Sequence, residues 1–282
     1  MQRILGAVIL AAGIIYGILI VYMALKDKEK FRSERGSFLL LLPAEALVFF
    51  IGSSGISDYV MNTIVARRLK TAEDKQLPGT LVVSNLVPGA IIAFSLLRSE
   101  GVVHWTVLVF CGLSAMIGTL AGVRLVRRFE GTAIRKIMAV ALMFSMVALI
   151  VRMIVSKGAM SDAISLTTPR LVIAVVILFF TGLLNMFGIP MKATWTAIFL
   201  MLGLSPLSTL TMSLVLGSVS PLTGGYAMIR SGNYHQKTAV AAATAGAFGA
   251  VLGVVFALSL SPLVLNIVLI GVMIVAIVSL LK

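Results

Sequence analysis

The chain has 282 residues, 60% of them hydrophobic and only 12% charged, with a mean hydropathy of +1.10 and a formal net charge of +13. A soluble domain of this size cannot hide so much apolar surface, because it must still cover itself with polar groups. The 23 Lys and Arg residues lie in short clusters between apolar runs, which argues against a nucleic-acid partner and fits the positive bias of cytoplasmic loops in a membrane protein.

The first apolar run, Ile4 to Leu25, is long enough to cross a bilayer and too long for a signal-peptide core. Charge follows it instead of a cleavage site, so it stays in the mature protein. Lys26 to Arg35 carries five basic and three acidic residues and no apolar stripe, and reads as a solvated cytoplasmic loop. Two apolar pieces come next, Phe38 to Ile56 and Tyr59 to Ala66, parted by Gly52-Ser53-Ser54-Gly55 and Ser57-Asp58. As a helix the second piece rises about 12 Å and cannot cross a core of about 30 Å. The pair therefore reads as a helical hairpin that enters the membrane and turns back. Leu77 to Leu97, Trp105 to Val123 and Ile137 to Val151 read as three crossings. Arg152 to Arg170 is a linker. A second broken pair, Leu171 to Phe187 and Met191 to Met201, surrounds Gly188-Ile189-Pro190. Leu207 to Ile229, Thr238 to Leu258 and Leu263 to Leu281 complete the set.

The two broken pairs open alike, with Phe49-Phe50-Ile51-Gly52 and Phe179-Phe180-Thr181-Gly182 about 130 residues apart. Each leads to a helix interrupted by proline (Pro88, Pro221), then Arg-Ser with a nearby histidine (Arg98-Ser99 and His104, Arg230-Ser231 and His235). A glycine pair follows in each, Gly118/Gly122 and Gly249/Gly253. The expected fold is an all-α polytopic membrane protein. Residues 1–36 form an N-terminal helix and loop, 37–156 a first repeat, 157–170 a linker and 171–282 a second repeat. Each repeat is a broken hairpin plus three transmembrane helices.

Charge tests the parity. With the loop after the first helix inside and each hairpin returning to its own side, 17 of the 23 Lys and Arg fall inside and 6 outside. Three crossings between the hairpins is an odd number, so the hairpins enter from opposite sides and the repeats have inverted topology, the architecture of many secondary transporters. The N-terminus is then outside and the C-terminus cytoplasmic.

Polar groups within apolar segments mark cavities or partners. At the second tip, Asn185, Lys192 and Thr194 flank a Gly-Ile-Pro break that starts a new helix inside the membrane. Its free N–H groups and positive dipole end would attract an anion, with Lys192 adding a full charge. A shallow hairpin would instead let Lys192 snorkel to the interface. At the first tip, Ser57 and Asn62 offer donors. Asp58 reads either as a proton carrier or, preferred on the cap signature, as the N-cap of Tyr59 onward. Glu45 is a second proton-coupling candidate, or a partner for an Arg on a neighbouring helix. Ser84 and Asn85 before Pro88, and Ser218, Ser220 and Thr223 around Pro221, either line a cavity or bond their own backbone at plain kinks.

Neither histidine belongs to a ligand cluster, and both read as interfacial residues. Cys111 is the single cysteine and sits in an apolar segment. The glycine pairs are spaced for close helix packing and allow a homodimer. No nucleotide loop, metal motif or catalytic triad is present, so no cofactor, no metal and no enzymatic activity are expected.

The duplicated Phe-Phe-x-Gly opening, the Phe187-Gly188-Ile189 turn, the Leu204-Ser205-Pro206 helix start and the paired glycines resemble the sulfite exporter TauE/SafE family of bacterial membrane proteins, over about residues 45 to 282. The family's turn usually continues with a run of glycines, where this chain has Pro190-Met191-Lys192, and Ser57-Asp58 in the first copy. The resemblance implies export of a small anion, sulfite or an organosulfonate, across the bacterial plasma membrane. Together with the tip residues it makes a secondary transporter of a small sulfur-containing or carboxylate anion, working by alternating access, the expected function, with proton coupling left open. A passive anion channel and a non-transporting scaffold subunit are the alternatives.

Overall fold

The computed structural model describes residues 2–98, 104–126, 128–134, 136–140, 143, 146–147, 162–187, 189, 191–256, 274 and 278. Every regular element among them is helical. In order they are α1 (Gln2–Lys26), α2 (Lys28–Ser33), α3 (Phe38–Gly52), α4 (Asp58–Leu69), α5 (Leu77–Arg98), α6 (Trp105–Val126), α7 (Thr168–Asn185), α8 (Met191–Met201), α9 (Pro206–Ser231), α10 (Gln236–Ala241) and α11 (Ala247–Phe256). A π turn, Ala242–Gly246, joins the last two. Helical residues also occupy 131–134 and 136–140, earlier than the expected start at Ile137. The expected crossing from Leu263 to Leu281 lies almost wholly outside the described residues.

Among the described residues, six segments are long and apolar enough to span a bilayer: α1, α5, α6, α7, α9 and the α10–α11 rod. Large apolar side chains such as Ile15, Phe110, Ile117, Phe248 and Val255 are exposed on the outer faces of these helices, as a lipid-facing surface requires. The protein is an all-α multi-pass membrane protein.

Several boundaries differ from the sequence expectation for identifiable reasons. α3 stops at Gly52, four residues early, and α4 runs to Leu69, capped by Lys70 in the left-handed region. At 12 residues α4 still rises only about 18 Å, too little to cross. α7 begins at Thr168 because Pro169, in its first turn, is pre-set for a helix start. Pro88 and Pro221 do not interrupt their helices; α5 and α9 run straight through them. Proline removes one ladder bond, and close packing can offset that loss. Beside Pro221, the Tyr16 hydroxyl of α1 donates to the Leu222 carbonyl at 2.6 Å.

Helix packing rests on the paired glycines. A Cβ on Gly118 or Gly122 would collide with the Phe179 or Leu183 carbonyl oxygen of α7, and one on Gly249 or Gly253 with those of Ala46 and Phe50 of α3. The contacting numbers rise together in both crossings, so each pair of helices is parallel. In contrast, Gly79 lies by Asn233, Leu86 by Gly225 and Gly89 by Ser218, so α5 and α9 are antiparallel. The helix ends Gly52 and Asn185, the helix starts Asp58 and Met191, and Pro88 and Pro221 are each 133 residues apart (185 − 52, 191 − 58, 221 − 88). The Phe-Phe pairs, at 130, are thus offset by nearly one helical turn from the register of the elements.

The loop after α1 is exposed over most of its length, as expected, and is anchored at Lys30 and Glu34. Lys30 Nζ donates to the Gly232 carbonyl at 2.5 Å, and Glu34 accepts from the Gln236 and Lys237 amides at 2.8 and 2.9 Å. Asn233 Nδ2 donates to the Lys75 carbonyl at 2.9 Å, and Gly36 abuts Thr71. These contacts gather the basic loops around Lys30, Lys75 and Lys237 on one face. At the other end of α9, Arg170 Nη1 donates to the Leu202 carbonyl at 3.2 Å, tying the start of α7 to the end of α8.

Candidate functional site

The cap of α4 decides where Asp58 points. Ser57, in an extended conformation, accepts from the Val60 amide at 3.4 Å and is the N-cap. Asp58 is therefore the first helical residue, not the cap expected from sequence. Its carboxylate is freed from capping and turns inward, where it is 2% exposed. There Oδ1 lies 2.7 Å from Lys192 Nζ, and Oδ2 accepts from Asn85 Nδ2. Lys192 does not snorkel: its side chain is 6% exposed, because a carboxylate within reach replaces the solvation that the interface would have supplied. The pair joins the two hairpins, α4 to α8, across α5. On the far side Gly217 of α9 makes room for the lysine stem, since a Cβ there would lie 2.5 Å from Lys192 Cγ.

The other residues selected from sequence divide into those whose bonding is spent and those whose bonding is open. Ser57 is used as the cap. Asn185 Nδ2 donates to Ser220 Oγ at 3.1 Å, linking α7 to α9. Thr223 Oγ1 donates within its own helix to the Ser220 carbonyl at 2.8 Å and across to the Met116 carbonyl at 3.4 Å, so its hydroxyl is committed to backbone. Thr194 is buried on α8, two residues past Lys192. In contrast, the hydroxyls of Ser84 and Ser218 and the amide oxygens of Asn62 and Asn85 are buried without a hydrogen-bond partner. Glu45 on α3 is 0% exposed and neither of its oxygens is hydrogen-bonded. Asn62 and Asp58 are the polar side chains that face it, and no Arg pairs with it among the described residues. Gly188 and Pro190 of the second tip lie outside the described residues, while α8 begins at Met191, directly behind them.

Sequence reasoning misses three residues. Gly217 receives Lys192, the Tyr59 hydroxyl is buried beside Asp58 without a partner, and Trp195 Nε1 locks α8 to α7 through Thr181 Oγ1 at 2.7 Å. Tyr59 carries a readable signal, a phenol directly after the buried carboxylate. His235 is buried as the N-cap of α10 at the basic face, its Nδ1 accepting from the Thr238 amide at 3.2 Å.

The ion pair sits in closed packing. A cavity of about 360 Å³ opens at the basic face, between Lys75, Gly79, Ser231 and Asn233, and an apolar groove of about 520 Å³ runs along Ile14, Ile18 and Val87. Neither touches Lys192 or Asp58. The core thus holds one buried positive charge paired with a side-chain carboxylate, near hydroxyl and amide groups that have no partner among the described residues.

No curated protein and no solved structure matches the chain. The family model described as sulfite exporter TauE/SafE matches residues 69–280. Lys192, Asn85 and the α9 residues fall within the match, while Glu45 and Asp58 precede it. The family is one of transporters that export sulfite and related anions, and this multi-pass membrane protein belongs to the sulfite exporter TauE/SafE family.

Proposed function

We propose that the protein is a secondary transporter that exports a small sulfur-containing or carboxylate anion, with Lys192 as the anion's charge partner. The observation that carries this reading is the buried Asp58–Lys192 pair joining the two hairpins. An entering anion takes the place of the Asp58 carboxylate on Lys192, while Asn85 keeps hold of Asp58. Protonation of Asp58 would free Lys192 in the same way, which gives proton coupling a second route. The hydroxyls of Ser84 and Ser218 supply donors for the anion's oxygens.

Alternating access is supported by the arrangement of the elements. The Pro88 and Pro221 helices are antiparallel, α6 lies on α7 as α11 lies on α3, and the hairpins close at opposite ends of α9. That is the pattern of an inverted repeat split at the linker 157–170, in which one half rocks against the other. The basic face is the cytoplasmic one by the positive-inside rule, with the N-terminus outside, in a bacterial inner membrane.

A proteoliposome flux screen over sulfite, sulfate, sulfoacetate, taurine and simple carboxylates tests the reading. Wild-type protein is expected to show counterflow of at least one anion, without a large unitary conductance. Lys192→Ala is expected to abolish it. Normal flux through Lys192→Ala would remove the anion site, and flux no different from empty liposomes would leave a scaffold subunit.

A further inference from the structure

Glu45 has no role in the anion reading above, yet it is the costliest side chain in the core to leave as it stands. A buried carboxylate with no counter-ion costs several kcal/mol in protein or lipid surroundings. The elements packed around it make the imbalance worse. From α4 come Asp58, already committed to Lys192 and Asn85, the unpartnered Tyr59 hydroxyl and the unpartnered Asn62 amide oxygen. From the α10–α11 rod the ionisable residue is Lys237, which is engaged at the basic face with the Glu34 carbonyl. Arg67 of α4 is paired with Asp74. Acceptor oxygens therefore outnumber donors around Glu45.

The π turn Ala242–Gly246 packs on the same helix, with Gly246 beneath Phe49, one turn from Glu45. Such turns break the regular backbone ladder and recur at functional sites. Irregular backbone at membrane depth is where carbonyl oxygens take part in cation coordination in transporters.

We infer that Glu45, with the amide oxygen of Asn62, is a binding site for a monovalent cation, a proton or a sodium ion, filled together with the anion at Lys192. The coupling rests on the proposed function and on simple charge balance. With no anion bound, Lys192 cancels Asp58. When an anion takes Lys192, the Asp58 charge is released beside Glu45, and a cation on Glu45 offsets it. By linkage the cation tightens anion binding as much as the anion tightens cation binding. Anion and cation then move in the same direction, and the step runs whichever way their combined gradients fall.

The first arm of the test uses no anion substrate. Purified protein is heated in sodium chloride and in choline chloride of equal ionic strength, and its protonated-carboxyl stretch is read by infrared spectroscopy. Either a sodium-dependent rise in unfolding temperature or a protonated-carboxyl band is expected, and Glu45→Gln, close in shape, should remove whichever is present. Absence of both in the wild type, or persistence of both in Glu45→Gln, overturns the site. The second arm uses radiolabelled sulfite as the probe. Supplying the cation should lower half-saturating sulfite by about tenfold in wild type, and Glu45→Gln should lose that response. A variant that responds like wild type overturns the coupling. A positive first arm with no sulfite flux in wild type would keep the cation site and count against the anion reading instead.

Discussion

Two regions of the protein bury a carboxylate among basic groups, and they treat it in opposite ways. At the basic face, Glu34 gives one oxygen to each of two backbone amides at the start of α10, where the helix dipole also favours it. His235 beside it has both ring nitrogens engaged, Nδ1 with Thr238 and Nε2 with the Arg35 carbonyl at 3.0 Å. In the core, Asp58 is met by a lysine 134 positions away, and Glu45 by the Asn62 amide and no positive charge among the described residues. A carboxylate satisfied by fixed backbone is a fastener. One satisfied by a mobile side chain, or left unsatisfied, is a place where something else can bind. The contrast predicts that breaking the basic-face contacts costs stability and spares transport, whereas changes in the core alter transport first.

The largest effect should follow Lys192→Ala. Removing one partner of a buried pair leaves the other charge stranded, typically about 3–5 kcal/mol. A large fall in unfolding temperature is expected, together with loss of anion flux. Adding Asp58→Asn should recover most of the stability and none of the flux. If the double variant transports, the lysine is a fastener and the contrast between the regions collapses.

Gly217→Ala comes next. The new methyl would stand 2.5 Å from Lys192 Cγ, and overpacking of this kind costs about 1–3 kcal/mol. Because a lysine stem can bend, the expected signature is a raised half-saturating anion concentration with the protein still folded. Unchanged saturation would mean that the position of Lys192 does not matter to the anion. Smaller again is Glu34→Ala at the basic face, which removes a helix cap. A loss of about 1 kcal/mol is expected in thermal unfolding, with flux at the wild-type level.

The crossings within the described residues are legible in the sequence because a run of apolar residues as long as a bilayer is thick can seldom be buried in any other way, and α4 is recognisable as too short to cross. The sorting of basic loops is legible too, since Lys30, Lys75 and Lys237 are drawn to one face. Finer detail depends on side-chain direction, which sequence does not carry. Ser57 and Asp58 are both good caps and differ by a single position, yet that position decides whether the carboxylate is spent at a helix end or turned towards Lys192. Lys192 can be named from sequence, but not its partner in the other hairpin. Proline at positions 88 and 221 suggests breaks because its local cost is known, whereas the packing that sustains α5 and α9 is not local. The Phe-Phe pairs give a register offset by a turn. With elements aligned at 133 residues, the counterpart of Lys192 is Tyr59 and that of Asp58 is Met191, so the charge pair has no equivalent in the other half.

The smallest effect concerns pH at the basic face. His235 caps α10 as a neutral ring, because Nδ1 accepts from the Thr238 amide and the proton must then sit on Nε2, facing the Arg35 carbonyl. Burial holds its pKa below the ordinary 6.5, and Lys237 and Lys30 push the same way. The Glu34 charge and the Arg35 carbonyl oppose them without reversing the direction. In the window below 6.5 the unfolded chain therefore binds a proton that the folded chain refuses. Stability from this group is complete above 6.5 and declines as pH falls through the window. His235→Asn keeps an oxygen able to cap the helix and removes the titration. Wild type should lose unfolding temperature relative to His235→Asn as the buffer is taken from neutral to mildly acidic, by less than the loss from Glu34→Ala, and anion flux at a fixed pH should not separate the two. Parallel unfolding curves across that range would show that the ring is not held neutral. A flux difference would show that the basic-face contacts take part in transport, and the division between fastener and binding site would have to be redrawn there.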